Sequence, residues 1–167
     1  MKPVNVGIVG LGTVGCGTVN VLARNAKEIT RRAGREINVV RAAARNINKK
    51  RDCITDNLKL TADPREIVQA SDIDVVVELM GGYDLAKELV LEAINNGKHV
   101  VTANKALIAV HGNEIFQAAQ KKGVMVAFEA AVAGGIPIIK AIRGGLAGNR
   151  IEWVAGIING TGNLIMP

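Results

Sequence analysis

Aromatic residues are scarce in this chain: one tryptophan, one tyrosine and two phenylalanines make up 2% of its 167 residues. Hydrophobic residues still account for 49% of the sequence, which is enough apolar material for the core of one ordinary domain. That core must therefore be built from valine, isoleucine, leucine and alanine. Such a composition favours a parallel sheet covered by helices on both faces. It also leaves no aromatic platform on which nucleic-acid bases could stack.

Cysteines and long apolar runs are scarce as well. The two cysteines, Cys16 and Cys53, provide neither a disulfide framework nor a metal-binding spacing, which indicates a reducing, cytoplasmic compartment. No apolar run approaches the roughly 20 residues that a membrane-spanning helix needs, so we expect no membrane insertion. No signal peptide is expected, because the first three residues lead directly into a predicted strand.

Acidic residues are outnumbered by basic ones, and the formal net charge is +6. A basic balance raises the possibility of a nucleic-acid partner. The basic residues are dispersed along the chain, however, and a phosphate-rich cofactor accounts for part of the excess. We therefore expect no nucleic-acid partner.

The sequence does contain a glycine turn, GLGTVG at 10–15, between a predicted strand (4–9) and a predicted helix that begins at residue 13. In this context the first glycine permits the turn, the second lets the backbone approach a pyrophosphate, and the third lets helix and strand pack closely. The helix N-terminus then offers N–H groups to the phosphates. A glycine-rich turn without a ligand is the alternative. The residues expected to bind a dinucleotide here are Gly10, Gly12, Thr13, Val14 and Gly15.

Strand and helix patterns alternate along almost the whole chain, which predicts a Rossmann-like, doubly wound α/β fold with a mainly parallel sheet. After the first strand, further strands are predicted at 37–44, 58–60, 73–78, 99–102, 124–128 and 151–158. Helices are predicted at 13–26 with an extension to 32, and at 65–70, 84–96, 113–122 and 136–142. Asp63 and Asp84 are predicted to cap two of these helices.

The pattern divides the chain into a dinucleotide-binding domain, 1–143, and a short second part, 144–167. The second part consists of a glycine-rich linker and one apolar strand. That strand has almost nothing after it with which to pair. We therefore expect the chain to be the front part of a longer protein, with the rest of a substrate domain following it.

The residues after the second strand bear on the choice of cofactor. An acidic residue there would accept hydrogen bonds from the ribose 2′-hydroxyl of NAD. This chain instead has Arg45, followed by Lys49, Lys50 and Arg51. A charge-assisted bond between a guanidinium and a phosphate is worth about 1.5–3 kcal/mol, which favours NADP although NAD remains possible. The alternative is a solvated basic loop.

Two later segments follow predicted strands, and the first of these strands ends in the same crevice as the strand at 73–78. Lys105 stands just past a strand, where its ammonium could hydrogen-bond a substrate oxygen or the nicotinamide ribose. Glu129 precedes a run of small residues whose backbone carbonyls could face a hard cation such as Na⁺ or K⁺. The alternatives are a surface lysine and a tight loop that only links two domains.

Five segments stand out along the chain: GLGTVG (10–15), VVELMGG (76–82), GKHVVTANKALIA (97–109), EAAVAGGIPII (129–139) and GIINGTGN (156–163). In these segments, and in their order, the chain resembles homoserine dehydrogenase. The resemblance implies interconversion of L-homoserine and L-aspartate 4-semialdehyde with NAD(P)H, on the pathway to threonine, methionine and isoleucine.

The same resemblance implies roles for individual residues. Thr13, Val14 and Arg45 would contact the cofactor, and Lys105 would lie at the active centre. A sodium-type site would use Glu129 with the backbone carbonyls of three residues: Val132, Gly134 and Ile136. Where the family often has Arg-Asp after the second strand, this chain has Arg45-Asn46. The family's substrate-holding acids and second catalytic lysine would follow residue 167, and the complete protein would be a homo-oligomer that acts on a small amino-acid substrate.

Two other functions are compatible with the sequence. A non-catalytic nucleotide-binding or redox-sensing module would need the glycine turn, but it would leave Lys105 and the 129–137 loop without a role. Another semialdehyde dehydrogenase would use a cysteine nucleophile, and neither Cys16 nor Cys53 ends a strand near the crevice.

Overall fold

The computed structural model describes residues 1–53 and 57–156, and within them it contains six strands and six α-helices. The strands are β1 (Val4–Val9), β2 (Ile37–Ala43), β3 (Lys59–Thr61), β4 (Val75–Glu78), β5 (His99–Thr102) and β6 (Val126–Ala127). The helices are α1 (Thr13–Arg24), α2 (Ala26–Ala33), α3 (Arg65–Gln69), α4 (Asp84–Asn95), α5 (Lys105–Lys122) and α6 (Ile138–Lys140).

All six strands form one parallel sheet in the order β3-β2-β1-β4-β5-β6. The chain therefore runs outward from β1 in one direction, then crosses over and runs outward in the other. A crossover of this kind leaves a crevice at the carboxyl ends of β1 and β4, where such sheets bind ligands. This topology confirms the predicted Rossmann-like fold.

The core is aliphatic on both faces of the sheet. Alternate residues of β1 enter different clusters: Val6 and Ile8 pack on one side, and Val9 packs on the other. This alternation follows from the two-residue period of a strand. The largest fully buried aliphatic side chains are Ile8, Ile67, Leu89, Ile94, Leu107 and Ile115.

Helix α5 begins at Lys105, well before the predicted start at residue 113. The Asn104 side chain caps it by accepting a hydrogen bond from the Leu107 N–H at 3.1 Å. Gly112, which resembles a helix breaker in the sequence, lies inside the helix. A Cβ at Gly112 would meet the Phe116 ring at 3.3 Å, so glycine here serves side-chain packing and does not mark a turn.

The other helix boundaries agree with the sequence prediction in part. The long first helix divides at Asn25 into α1 and α2, and Gly34 ends α2 with φ 72°. Asp63 acts as expected, because its carboxylate accepts a hydrogen bond from the Arg65 N–H at 2.9 Å. The prediction for Asp84 is wrong: Asp84 is the first residue of α4, and the preceding Tyr83 makes no side-chain cap.

The last part of the chain departs most from the prediction. A wider, π-helical turn, Ala141–Gly145, continues α6 into the predicted linker. Residues 151–156 form no strand, and they expose Trp153 and Val154, because no neighbouring strand is placed to pair with them. The remainder of the predicted strand, and most of the 156–163 segment, lie outside the described residues. No helix in the described ranges has both the length and the apolar character to cross a membrane.

Candidate functional site

The glycine turn connects β1 to α1 at the carboxyl edge of the sheet. Gly10 has φ 105°, and a Cβ added there would lie 2.7 Å from the Leu79 carbonyl oxygen. A Cβ at Gly15 would lie 2.1 Å from the Gly10 carbonyl oxygen. The fold itself therefore requires glycine at these two positions.

Gly12 differs from the other two glycines of the turn. Its backbone is extended, with φ −82° and ψ −161°, and an added Cβ would meet nothing within 4 Å. Any residue can adopt this conformation, so the fold does not explain the glycine. The open space in front of Gly12 is the room that a close-approaching ligand would use.

The first turn of α1 faces this open space. Gly12 has no side chain to cap the helix, and the first turn contains no acidic residue. Thr13 and Val14 are exposed on this turn, although Val14 is a large apolar side chain and is 58% exposed. Because the first N–H groups of a helix lack intrahelical partners, the arrangement favours an anionic ligand.

A cleft of about 730 Å³ opens beside the glycine turn. Its volume lies within the range of about 300–1,000 Å³ that small-molecule sites occupy. The cleft brings together Gly10, Gly12 and Arg45 from the predicted site. Thr13, Val14, Gly15, Lys105 and Glu129 lie outside its lining.

The loop that follows β2 places cations at one end of the cleft. Arg45 and Lys49 are exposed and line the cleft, whereas Lys50 is exposed but not part of the lining. The Asn46 carboxamide oxygen accepts a hydrogen bond from the Asn48 N–H at 3.0 Å, which closes a tight turn between Arg45 and Lys49. The sequence grouped four cations here as equivalent, but the structure separates them.

Arg51 has a different position from the other three cations. Its guanidinium donates to the carbonyl oxygens of Lys49 at 2.8 Å, Ile47 at 3.3 Å and Leu11 at 3.4 Å, and also to that of Asn46. A planar guanidinium with five N–H donors can bridge several carbonyls in this way. Arg51 thus holds the basic loop together and connects it to the glycine turn. The sequence gives no signal for this role, because the carbonyls are brought together only by the turn.

A network of buried polar groups lies at the carboxyl ends of β4 and β5. The Glu78 carboxyl group accepts hydrogen bonds from the Met80 N–H at 2.9 Å and from the Thr102 hydroxyl at 2.6 Å. The Thr102 hydroxyl accepts from the Asn104 N–H at 2.9 Å, and the Asn104 side chain donates to the Gly82 carbonyl. Sequence reasoning did not single out Glu78, Thr102 or Asn104 as site residues.

Lys105 is the first residue of α5, directly after the capping Asn104. Its side chain is exposed, and within the described ranges it makes no salt bridge. A cation in the first turn of a helix is opposed by the helix dipole, so Lys105 does not stabilise α5. Since β5 runs parallel to β1, Lys105 lies at the same edge of the sheet as the glycine turn.

Glu129 begins a short 3₁₀ helix, Glu129–Ala131, and its carboxylate contacts α6. The two carboxylate oxygens accept hydrogen bonds from the N–H groups of Ile139 and Lys140, each at 2.9 Å. Between these two elements Ala133 has φ 47°, an uncommon conformation for a residue with a Cβ. Glu129 therefore fastens this irregular loop to the helix that follows it.

The cation site expected at this loop stays a prediction. The structure shows how Glu129 is held, but it gives no ligand arrangement for the carbonyls of Val132, Gly134 and Ile136. Among the described residues no group of three His, Cys, Asp or Glu side chains is placed to hold a metal ion. A site built mainly from backbone carbonyls does not depend on such a group.

The two cysteines lie close together, Cys16 in α1 and Cys53 just after the basic loop. The Sγ atoms of Cys16 and Cys53 are 3.0 Å apart, and both cysteines are reduced. Burial, followed by the hydrogen bond to Cys16, raises the pKa of Cys53 to about 11. The Cys53 thiol is therefore neutral near pH 7 and unsuited to act as a nucleophile.

Comparisons with known proteins agree on one family. Residues 10–129 match the family model described as homoserine dehydrogenase, NAD binding domain. A homoserine dehydrogenase of Pseudomonas aeruginosa is 70% identical over 166 residues, which are 99% of this chain and 38% of that protein. The chain thus spans 38% of the length of this curated relative.

Solved structures give the same result. A homoserine dehydrogenase from Thiobacillus denitrificans matches with a TM-score of 0.90 and 65% identity, over 98% of this chain and 38% of that one. A hyperthermophilic archaeal homoserine dehydrogenase in complex with NADPH matches with a TM-score of 0.69 and 26% identity, over 84% of this chain and 48% of that one.

Proposed function

The chain belongs to the homoserine dehydrogenase family, and we propose that the complete protein interconverts L-aspartate 4-semialdehyde and L-homoserine with NADPH as the preferred cofactor. The observation that carries the proposal is the open space at Gly12, beside a cleft that also contains Arg45. A glycine that the fold does not need, before the exposed first turn of α1, would be explained by a bound pyrophosphate. The family match over residues 10–129 supports this interpretation.

The cleft suggests how the cofactor lies. The pyrophosphate would rest against Gly12 and the first N–H groups of α1, near Thr13 and Val14. The 2′-phosphate of NADPH would face Arg45 and Lys49 at the end of the cleft that the basic loop forms. The nicotinamide would then point toward residues 79–81, which line the other side of the cleft, and toward Lys105 beyond them.

Lys105 is the group of this chain that we assign to catalysis. A bound nicotinamide would supply the hydride for the aldehyde carbon. The Lys105 ammonium would donate a hydrogen bond to the carbonyl oxygen and stabilise the negative charge that develops there. A proton delivered to that oxygen completes the alcohol, and Lys105 can supply it.

The division into a dinucleotide-binding domain, 1–143, and the start of a second domain, 144–167, also belongs to this proposal. Because the chain spans 38% of its Pseudomonas aeruginosa relative, the groups that hold the substrate's amino and carboxylate groups would come from the remaining part. We place the complete protein in the cytoplasm as a homo-oligomer.

The proposal includes a cation at the 129–137 loop. Na⁺ or K⁺ would bind Glu129 and the carbonyls of Val132, Gly134 and Ile136. The support is the irregular backbone of this loop, with Ala133 at φ 47°, and its attachment by Glu129. A crystal soaked in Rb⁺ should show anomalous density here, and an ordered loop without density at saturating Rb⁺ would remove the cation.

Product identification tests the proposed reaction. The complete protein, incubated with L-homoserine and NADP⁺, should form NADPH and aspartate 4-semialdehyde in equal amounts. The aldehyde can be trapped as a hydrazone and identified by mass spectrometry. Residues 1–167 alone should bind NADPH without turnover, because positioning of the substrate supplies about 7–11 kcal/mol of barrier reduction in reactions of this kind. Absence of both products from the complete, folded protein would refute the proposal.

A further inference from the structure

The most unusual buried group in the described part of the chain is the carboxyl group of Glu78. Its side chain is 1% exposed, and it is the one acidic residue of this part that lies fully within the core. No lysine, arginine or histidine among the described residues forms a salt bridge with it. A buried carboxyl group without a cationic partner is unfavourable unless hydrogen bonds compensate it, so its presence requires an explanation.

The sheet itself does not require a polar pair at this position. Glu78 of β4 lies opposite Thr102 of β5 in the register. One repeat earlier, the same two strands pair Val76 with Val100, and both valines are buried. Replacing both partners of a buried hydrogen bond with apolar groups of similar shape can be nearly neutral for stability. Packing alone would therefore allow a second aliphatic pair at the end of these strands.

The two carboxyl oxygens of Glu78 accept hydrogen bonds from two different segments. One carboxyl oxygen accepts from the Met80 N–H and so fixes the start of the glycine loop, which we define as residues 80–82. The other oxygen accepts from the Thr102 hydroxyl, which in turn accepts from the Asn104 N–H. Asn104 caps α5 through the Leu107 N–H and also donates to the Gly82 carbonyl, so the two segments are connected.

This closed network is connected to both parts of the proposed site. Met80 and Gly81 of the glycine loop line the cleft in which the cofactor would lie. Lys105 follows Asn104 directly and begins the helix that Asn104 caps. Glu78 itself contributes nothing to the cleft lining, so it acts through these neighbours.

We propose that Glu78 is a positioning residue that holds the glycine loop and the N-terminus of α5 in register, and thereby sets the place of the Lys105 ammonium beside the nicotinamide. The inference rests on the proposed function, since it assigns Lys105 to the reaction. Misplacement of a catalytic group by about 1 Å can reduce a rate by about a hundredfold, so a network that fixes the backbone of Lys105 controls kcat.

Two pairs of variants in the complete protein test the network. Thr102→Val removes the hydroxyl that connects Glu78 to Asn104, whereas Thr102→Ser keeps it. Glu78→Met removes both acceptor oxygens. In Glu78→Gln the amide oxygen can still accept from the Met80 N–H, and the amide NH₂ can donate to the Thr102 hydroxyl oxygen. Each pair keeps side-chain volume similar, so the polar connection is the main difference within it.

The two disruptive variants should differ in which kinetic constant they change, kcat alone or kcat together with the KM for the cofactor. Thr102→Val should lower kcat by about tenfold or more and leave the KM for NADP⁺ within about twofold, because Glu78 still holds the Met80 N–H at the start of the glycine loop. Glu78→Met should lower kcat and raise the KM for NADP⁺, because it also releases the glycine loop. Thr102→Ser and Glu78→Gln, which keep the polar connection, should have a kcat within about threefold of the wild type.

Thr61→Val provides a matched control. The Thr61 hydroxyl donates to the Glu66 carboxylate at 2.8 Å and accepts from the Asp63 N–H at 3.1 Å, which is the same pattern at the end of β3. Loss of this hydroxyl should leave kcat within about twofold, since β3 lies at the far edge of the sheet from α5. If Thr61→Val lowered kcat as much as Thr102→Val does, loss of either threonine hydroxyl would act through general destabilisation. That result would overturn the inference.

Hydrogen–deuterium exchange separates a failure of this inference from a failure of the proposed function. In the complete protein without cofactor, the Met80 and Leu107 amide hydrogens should exchange faster in Glu78→Met than in the wild type. Unchanged exchange at both, or a kcat for Thr102→Val equal to that of the wild type, would overturn the positioning role. An absence of homoserine oxidation by the wild type would refute the proposed function, and the exchange rates would still decide the role of Glu78.

Discussion

At the scale of single residues, the three glycines of the turn have separable roles. The fold requires Gly10 and Gly15, because an added Cβ at either would collide with backbone atoms. Gly12 has open space in front of it and an ordinary backbone conformation. A glycine motif therefore combines residues that form the turn with one residue that leaves room for a ligand.

This separation predicts opposite effects of two alanine substitutions. Gly12→Ala should leave the melting temperature nearly unchanged and lower NADPH affinity by about tenfold or more, which is about 1.4 kcal/mol. Gly15→Ala should destabilise the fold, because its Cβ would lie 2.1 Å from the Gly10 carbonyl oxygen. Thermal unfolding and fluorescence titration measure the two effects. Full NADPH affinity in Gly12→Ala would show that no phosphate approaches this glycine.

The proposed preference for NADPH over NADH depends mainly on Arg45. Arg45→Ala should lower the ratio of the NADPH affinity to the NADH affinity by about tenfold, the equivalent of about 1.4 kcal/mol. Lys50→Ala removes the same charge from an exposed position of the loop that does not line the cleft. Titration of both cofactors at one ionic strength should show a much smaller change for this control. An equal change in both variants would mean that general electrostatics, and not contact, sets the preference.

The Cys53 thiol should respond to pH as a buried group. Its pKa is raised to about 11, first by burial and then by Cys16, so the folded state favours the neutral thiol. Its contribution to stability is fully present below the ordinary thiol pKa and is lost as the pH rises toward 11. Alkylation of Cys53 by iodoacetamide, followed by mass spectrometry, should be slow at pH 8 and accelerate up to about pH 11. Fast alkylation at pH 7 in the folded protein would contradict this environment.

At the scale of secondary-structure elements, the sequence predicted the starts of β1, β2 and β5 and of α1, α3 and α4, but not the start of α5. β1 and β5 have the predicted bounds, because short runs that are rich in β-branched residues and end at turns give a strong signal. The start of α5 was missed, since Gly112-Asn113 resembles a boundary until the Phe116 ring is seen to pack against Gly112. The Asn104 cap was present in the sequence and could have indicated the correct start.

In the candidate site, local sequence predicted some residues, whereas other contacts depend on the three-dimensional fold. Gly10, Gly12 and Arg45 were predicted from local sequence, and the structure brings them to one cleft. The network around Glu78 and the four carbonyl contacts of Arg51 were not foreseen. Both depend on which strands are neighbours and how a loop turns, and the sequence pattern contains neither.

Lys98 connects the start of β5 to the segment between α3 and β4. Its buried ammonium donates to the carbonyl oxygens of Ile73, at 2.9 Å, and Ala70. Burial lowers the pKa of this ammonium below its usual range, which shows that water reaches it poorly. Lys98→Met should lower the free energy of unfolding by about 1–3 kcal/mol, because two carbonyls lose their donor. Urea denaturation measures the loss, and a stability equal to that of the wild type would show that water replaces the ammonium.

At the scale of the whole molecule, the proposed function makes this chain one part of a two-part site. The cleft beside the glycine turn and the exposed Lys105 lie along the same edge of the sheet. The relative from Pseudomonas aeruginosa is matched over 38% of its length, so most of such a protein lies beyond the matched region. The central claim is that this edge binds the cofactor and places Lys105 against the substrate that the remaining part holds.

The effect of Lys105→Ala on the complete protein tests this claim most directly. The account predicts that kcat for homoserine oxidation falls by about a hundredfold or more, while the NADPH dissociation constant stays within about threefold, because a catalytic donor acts mainly in the transition state. Lys121→Ala, which removes an exposed lysine from the other end of α5, should change neither quantity. A Lys105→Ala enzyme that retains the kcat of the wild type would contradict the account and remove Lys105 from the active site.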